Sequence, residues 1–145
     1  MKIFKASFND AAFLYDNLEV LRNGVKYSYD DFLNFYKQYL DNKFNSIFIA
    51  SIKGENIGFI TVNTYASLKY IGYTSELEEV IVLSEYRGLG LGKEMISLVI
   101  KELENNKLIR KTIVKTDDQK IAGRVYQKYM TLTEMRTYQL FLNKI

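Results

Sequence analysis

Apolar residues recur along this chain with two periods that take turns from segment to segment, which predicts helices and strands mixed along one chain. Lys2 to Ser7 has the pattern of a short strand. Asn9 or Asp10 then caps a helix to about Leu21, closed by the turn pair Asn23-Gly24. Ser28 with Asp31 three residues on resembles a capping box, with Asp in place of the usual Glu or Gln, and opens a second helix to about Asp41 with Phe32, Tyr36, Tyr39 and Leu40 on its apolar face. From Ser46 the period shortens. Ile47, Phe48, Ile49 and Ile52 form a β-rich run, Lys53 to Asn56 is a turn, and Ile57 to Tyr65 runs back as a hairpin partner. After a loop through Tyr70 and Gly72, Leu77 to Leu83 reads as a third long strand. Leu91, Met95, Leu98, Val99 and Leu103 then share one face of a helix ending near Asn105 and Asn106. Ile109 to Thr116 is another strand, Asp118 caps a helix to about Met130, and Arg136 to Leu142 closes the chain as a strand.

The resulting order, β-α-α-β-β-β-α-β-α-β, predicts an α+β domain around a mostly antiparallel sheet. The third long strand, the helix after it and Ile109 to Thr116 make a crossover unit, so those two strands should be parallel. With 145 residues and 48% hydrophobic content, residues 1–145 should form one domain. A chain of this size buries about 70% of the surface it exposes when unfolded, enough to fold without metal or disulfide.

Composition narrows the chemistry. The chain has no Cys and no His, which excludes a thiolate nucleophile, an imidazole base, a zinc cluster and a Ser-His-Asp triad. Asp, Glu, Tyr, Lys, Ser and backbone amides remain. The first ten residues are interrupted by Lys5, Ser7, Asn9 and Asp10, so neither a signal peptide nor a membrane span is expected there, and a cytoplasmic location follows as an expectation. A net charge of +3 does not decide a partner.

One segment points further. Arg87-Gly88-Leu89-Gly90-Leu91-Gly92-Lys93 lies between a strand and a helix, where unpaired amides and the positive end of the helix dipole favour an anion. The dinucleotide fingerprint does not fit, because Gly88 and Gly90 would need a third glycine where Lys93 stands. A P-loop would need Gly and Ser or Thr where Arg87 and Glu94 stand. Arg87, Gly90 and Gly92 do fit Arg-x-x-Gly-x-Gly, which resembles the acetyl-CoA pyrophosphate loop of the GCN5-related N-acetyltransferase superfamily. Leu77 to Gly88 is similar to that family's strand leading into the loop, with Ser84 where Pro is common. Ala122, Val125, Tyr126 and Lys128 match the spacing of its second motif, with Gln119 where Asn is frequent and Met130-Thr131 in place of a common Gly-Phe. The element order is similar to the same fold over the full chain, most specifically over residues 77 to 130.

The resemblance implies direct acyl transfer from acetyl-CoA, a cosubstrate, to a primary amine within a ternary complex and without a metal. It implies cosubstrate contacts from Val82, Leu83 and the run Arg87, Gly88, Leu89, Gly90, Leu91, Gly92 and Lys93. The pantetheine arm would lie where the third long strand and Ile109 to Thr116 splay apart. Tyr126 matches a tyrosine that donates a proton to the departing thiolate, although an isolated Tyr on a helix with Val125 and Tyr129 also reads as packing. Glu78 matches an acidic position that draws a proton from the amine directly or through water, and strand alternation predicts Glu79 on the opposite face. The plain alternative for either is a solvated edge carboxylate.

Two surfaces stay open. Seven basic residues against Asp117 and Asp118 occupy Lys107 to Lys128, which reads either as a solvated helix face or as a contact for the 3′-phosphate of CoA or an RNA backbone. Tyr27, Tyr29, Phe32, Tyr36, Tyr65, Tyr70 and Tyr73 fall in segments that form the acceptor side of similar enzymes, most of them as core and one or two as pocket wall. The expected acceptor is a small-molecule or peptide amine, with no membrane partner and with room for a homodimer. An aminoacyl-tRNA-acetylating toxin and a CoA-binding sensor without turnover are the rival readings.

Overall fold

The computed structural model describes residues 1–22, 24–116 and 122–133. Five strands form one sheet in sequence order: β1 (Lys2–Lys5), β2 (Asn45–Ile52), β3 (Glu55–Ser67), β4 (Gly72–Val82) and β5 (Ile109–Val114). Successive strands from β1 to β4 pair antiparallel, and β5 lies parallel to β4, as the crossover requires. Helices α1 (Ala11–Leu18) and α2 (Tyr29–Asp41) precede β2, α3 (Leu91–Glu104) joins β4 to β5, and the short α4 (Ala122–Tyr126) follows.

The capping residues act as their spacing predicts for α2: the Asp31 amide donates to the Ser28 hydroxyl at 3.0 Å, and that hydroxyl donates to the Asp31 carboxylate at 2.6 Å. For the first helix Asp10 of the two expected residues stands at the N-cap of α1, though its side chain makes no capping bond there; instead Asp10 Oδ2 accepts from the Ser7 amide at 2.7 Å across a one-turn 3-10 segment, Phe8–Asp10, and α1 gives way to a second 3-10 turn at Glu19–Leu21. Asn23, the segment around Asp118 and Gln119, and the closing strand expected at 136–142 lie outside the described residues.

Both faces of the sheet are covered, so its central strands read as continuous apolar runs. On one face α1 and α2 bury Leu14 and Tyr36 against Ile47, Ile49, Phe59 and Ile81. On the other, Met95, Ile96, Val99 and Leu103 of α3 pack on Phe48, Ile60, Val62 and Leu77. Strand β4 begins five residues earlier than its apolar pattern predicts. Thr74 and Ser75 are buried there as polar residues, with the Ser75 and Thr64 hydroxyls 2.9 Å apart across the ladder. Gly72 lets the chain enter against β5, because a β-carbon there would stand 2.6 Å from the Leu108 carbonyl oxygen.

Two departures from regular pairing position the site. Between Ile60↔Val80 and Val62↔Leu77 the register slips, so Glu78 and Glu79 together oppose Thr61 alone. This is a β-bulge, held by the Glu79 amide donating to the Thr61 hydroxyl at 2.9 Å. Secondly, β5 pairs with β4 only from Tyr73↔Ile109 to Leu77↔Val114. From Glu78 to Val82, β4 continues without a β5 partner.

Candidate active site

The open edge of β4 runs from the bulge to the glycine loop. At the loop end, Val82 is followed by a 3-10 turn at Ser84–Tyr86, and the Arg87 side chain turns back to donate from Nε to the Val82 carbonyl at 2.8 Å. Gly88 and Gly90 have φ of +77° and +76°, and Gly90 is the residue at which α3 starts. A β-carbon at either would meet nothing within 4 Å, so backbone conformation rather than crowding selects glycine there. At Gly92 a β-carbon would stand 3.2 Å from a Val82 methyl, which holds the helix start close to the end of β4. Helix geometry leaves the amides of Leu91, Gly92 and Lys93 without intrahelical acceptors, while Glu94 is the first to bond back, to the Gly90 carbonyl at 3.3 Å. Such a cradle of amides and left-handed glycines fits a phosphate-bearing group.

At the bulge end the two carboxylates do not take opposite faces, contrary to strict alternation. Leu77 and Val80, three residues apart, both pack on the α3 side, which leaves Glu78 and Glu79 between them. Glu79 lines a cavity of about 630 Å3 between α1, α2 and the sheet, together with Tyr39 and Thr61. Glu78 accepts a hydrogen bond from the Asn63 amide, whose carbonyl oxygen in turn accepts from the Tyr39 hydroxyl at 3.1 Å. Both carboxylates therefore border Tyr39, and their charge adds to burial in raising the Tyr39 phenol above its ordinary range. Burial, then the Glu78 charge, pushes the Glu79 carboxyl up from 4.5 to about 7.

Glu78 also faces a cleft of about 1140 Å3 along β5, and Tyr126 of α4 lines the same cleft with Leu77 and Val114. The structure thus brings Glu78 and Tyr126 to one opening. Tyr126 packs partly against the α3-side core, and its phenol is raised by burial alone. Among the described residues no side chain hydrogen-bonds to its hydroxyl. Of the acceptor-side aromatics, Tyr27, Phe32 and Tyr36 line the smaller cavity, whereas Tyr65 and Tyr70 are exposed and Tyr73 pairs with Phe44. In the basic segment, Lys115 is ion-paired with Glu76 at 2.7 Å and Lys111 lies over the Tyr70 ring, so part of that charge is already engaged.

Sequence reasoning did not place Asn63, Tyr39 and Thr61 at the site, nor Glu79 in the cavity. The signal for the bulge was present in the spacing of Leu77, Val80 and Val82, three and then two residues apart, which a regular strand does not show.

Among the described residues no helix is long and apolar enough to cross a membrane, and no cluster of three acidic residues is arranged to hold a metal ion. A profile of the Acetyltransferase (GNAT) family matches residues 12–131. The chain is 30% identical over 81 residues to an uncharacterized N-acetyltransferase of Archaeoglobus fulgidus, covering 54% of this chain and 55% of that protein; it thus spans about half the length of that curated relative. Its fold is similar to a ribosomal-protein-alanine N-acetyltransferase from Brucella melitensis biovar Abortus 2308, at 15% identity and a TM-score of 0.78 over 98% of this chain and all of that one. An aminoglycoside acetyltransferase from an uncultured soil metagenomic sample, solved with sisomicin, gives a TM-score of 0.73 at 14% identity over 99% and 96% of the two chains.

Proposed function

The chain belongs to the GNAT acetyltransferase family, and on that premise we propose that it transfers an acetyl group from acetyl-CoA to a primary amine by direct attack in a ternary complex. The observation that carries this reading is the stretch of β4 from Glu78 to Val82 that β5 leaves unpaired, with an amide cradle at one end and two carboxylates at the other. Acetyl-CoA supplies the acetyl thioester when bound. The amides of residues 88–93 hold its pyrophosphate, Arg87 steadies the end of β4 through the Val82 carbonyl, and the edge of β4 at Val82 orients the arm, while the Leu83 amide, bonded to the Ile57 carbonyl at 2.9 Å, leaves Leu83 only its side chain to offer.

Glu78 draws a proton from the incoming ammonium, through water, and Tyr126, which lines the same cleft, returns one to the departing sulfur. The phenol suits this role because an ordinary tyrosine is protonated at neutral pH, and burial raises it further. Asn63 and Tyr39 keep Glu78 in place. Thiol release from acetyl-CoA across a panel of primary amines tests the reading. Dependence of release on amine concentration is the expected result; release no faster than spontaneous hydrolysis with every amine would overturn it.

A further inference from the structure

The cavity beside Glu79 is selective in a way the open edge of β4 is not. Its wall is made by Leu14, Leu18, Phe32, Phe35 and Tyr36, and its volume of about 630 Å3 falls in the ordinary range for a small ligand. The polar groups on that wall are engaged. The Tyr36 hydroxyl donates to the Ser7 carbonyl at 2.8 Å, the Tyr39 hydroxyl to Asn63, and the Thr61 hydroxyl accepts the Glu79 amide.

Two other charged residues border the cavity. Arg22 holds its guanidinium over the rings of Tyr15 and Tyr27, 4.8 and 5.7 Å from their centroids, and the exposed Asp31 takes the Ser28 hydroxyl. Glu79 is the charge on the sheet side, and among the described residues no other side chain hydrogen-bonds or ion-pairs with its carboxylate. A hydroxyl-rich acceptor would lose its water shell here against a mostly apolar wall, with the Arg22 guanidinium and the Tyr27 hydroxyl at the border as the main donors in return. An ammonium on an apolar body would gain both a counter-charge and a dry wall.

We propose that this cavity takes a small primary amine carried on an apolar, aliphatic or aromatic body, its ammonium against Glu79 and its body against Leu14, Leu18, Phe32 and Phe35. This assignment of acceptor class rests on the acetyl-transfer reading for its purpose, but its test does not require turnover. Binding of n-alkylamines from propyl to hexyl, of 2-phenylethylamine and of glucosamine is measured by calorimetry at about pH 8, with and without saturating CoA.

Affinity is expected to rise about fourfold per methylene where the chain is fully enclosed. 2-Phenylethylamine is expected to bind at least about a hundredfold more tightly than glucosamine, since apolar burial replaces unpaired hydroxyls. Glu79→Gln should weaken hexylamine by about tenfold or more while leaving n-hexanol unchanged, the difference a lost charge partner makes. Phe35 is exposed, so Phe35→Ala keeps the fold and should remove the gain from the last methylenes while sparing propylamine.

A flat alkyl series, or glucosamine binding as tightly as 2-phenylethylamine, overturns the assignment. So does hexylamine affinity untouched by Glu79→Gln in a folded protein. Tight, chain-length-dependent binding without thiol release upholds the cavity's preference and fails the acetyl-transfer reading alone. Thiol release confined to hydroxylated amines, with a flat alkyl series, does the reverse.

Discussion

The two ends of the open edge of β4 are built from different materials. At the loop end, function rests on backbone: amides at the start of α3 and two glycines in left-handed conformation, with empty space where side chains would be. At the bulge end it rests on side chains whose direction is set by one irregular pair in the β3–β4 ladder. A backbone site announces itself in composition, because few residues other than glycine adopt such φ values. A side-chain site depends on register, and a one-residue slip changes which face a carboxylate takes.

The sharpest way to break this comparison is at the loop. Valine at Gly90 would place a β-branched residue at φ +76°, a strain of roughly 1–2 kcal/mol or more that the loop can relieve only by moving its amides. Because a β-carbon there contacts nothing, the core is spared. Gly90→Val should therefore stay folded and lose measurable acetyl-CoA binding. Calorimetry showing unchanged affinity would mean the pyrophosphate does not rest on this loop.

Next in size is the cleft between the two ends. Tyr126→Phe removes one hydroxyl that has no hydrogen-bonding side chain among the described residues, so little stability should change. If protonation of the thiolate limits the rate, turnover should fall by about two to four orders of magnitude with acetyl-CoA affinity nearly intact. Equal turnover in both proteins would leave Tyr126 as packing against the α3-side core.

What the sequence disclosed follows the same division. The glycine run, the capping pair Ser28 and Asp31, the crossover through α3 and the parallel pairing of β4 with β5 were legible because each depends on local spacing. The early start of β4 was not, since Thr74 and Ser75 look like loop residues until their cross-strand partners are known. The cavity was hidden for a further reason: Tyr39 and Asn63 are 24 residues apart, and only α2 lying across the sheet brings them together.

A smaller effect is expected at Glu78, where the comparison can be sharpened. A primary amine with a pKa near 10 is mostly protonated at neutral pH, so removing the carboxylate leaves only the rare neutral amine to react. Glu78→Gln should lower turnover at pH 7 by about a hundredfold and recover as pH rises towards the amine's own pKa. A pH-rate profile superimposable on that of the unaltered protein would make Glu78 a solvated carboxylate held by Asn63.

The remaining effect concerns stability and sets Glu79 apart from its neighbour. Folding raises its carboxyl from 4.5 to about 7, chiefly through burial, so between those values the folded chain holds more protons than the unfolded one. Stability then falls as pH rises across that window, and the full cost is present above about pH 7. Glutamine at this position has no proton to lose. Glu79→Gln should thus match the unaltered protein near pH 4.5 and gain stability as pH rises. The difference at pH 8 should be on the order of ten degrees in Tm, since the raised carboxyl costs roughly 3 kcal/mol and each kcal/mol moves Tm by about 2–4 °C in a chain of this size. A site that holds a carboxylate at the expense of stability, beside Glu78 rather than opposite it, fits the bulge as a device for binding a cation. Thermal melts that show no gain above pH 7 would place Glu79 in water instead, and with it the sheet-side wall of the cavity.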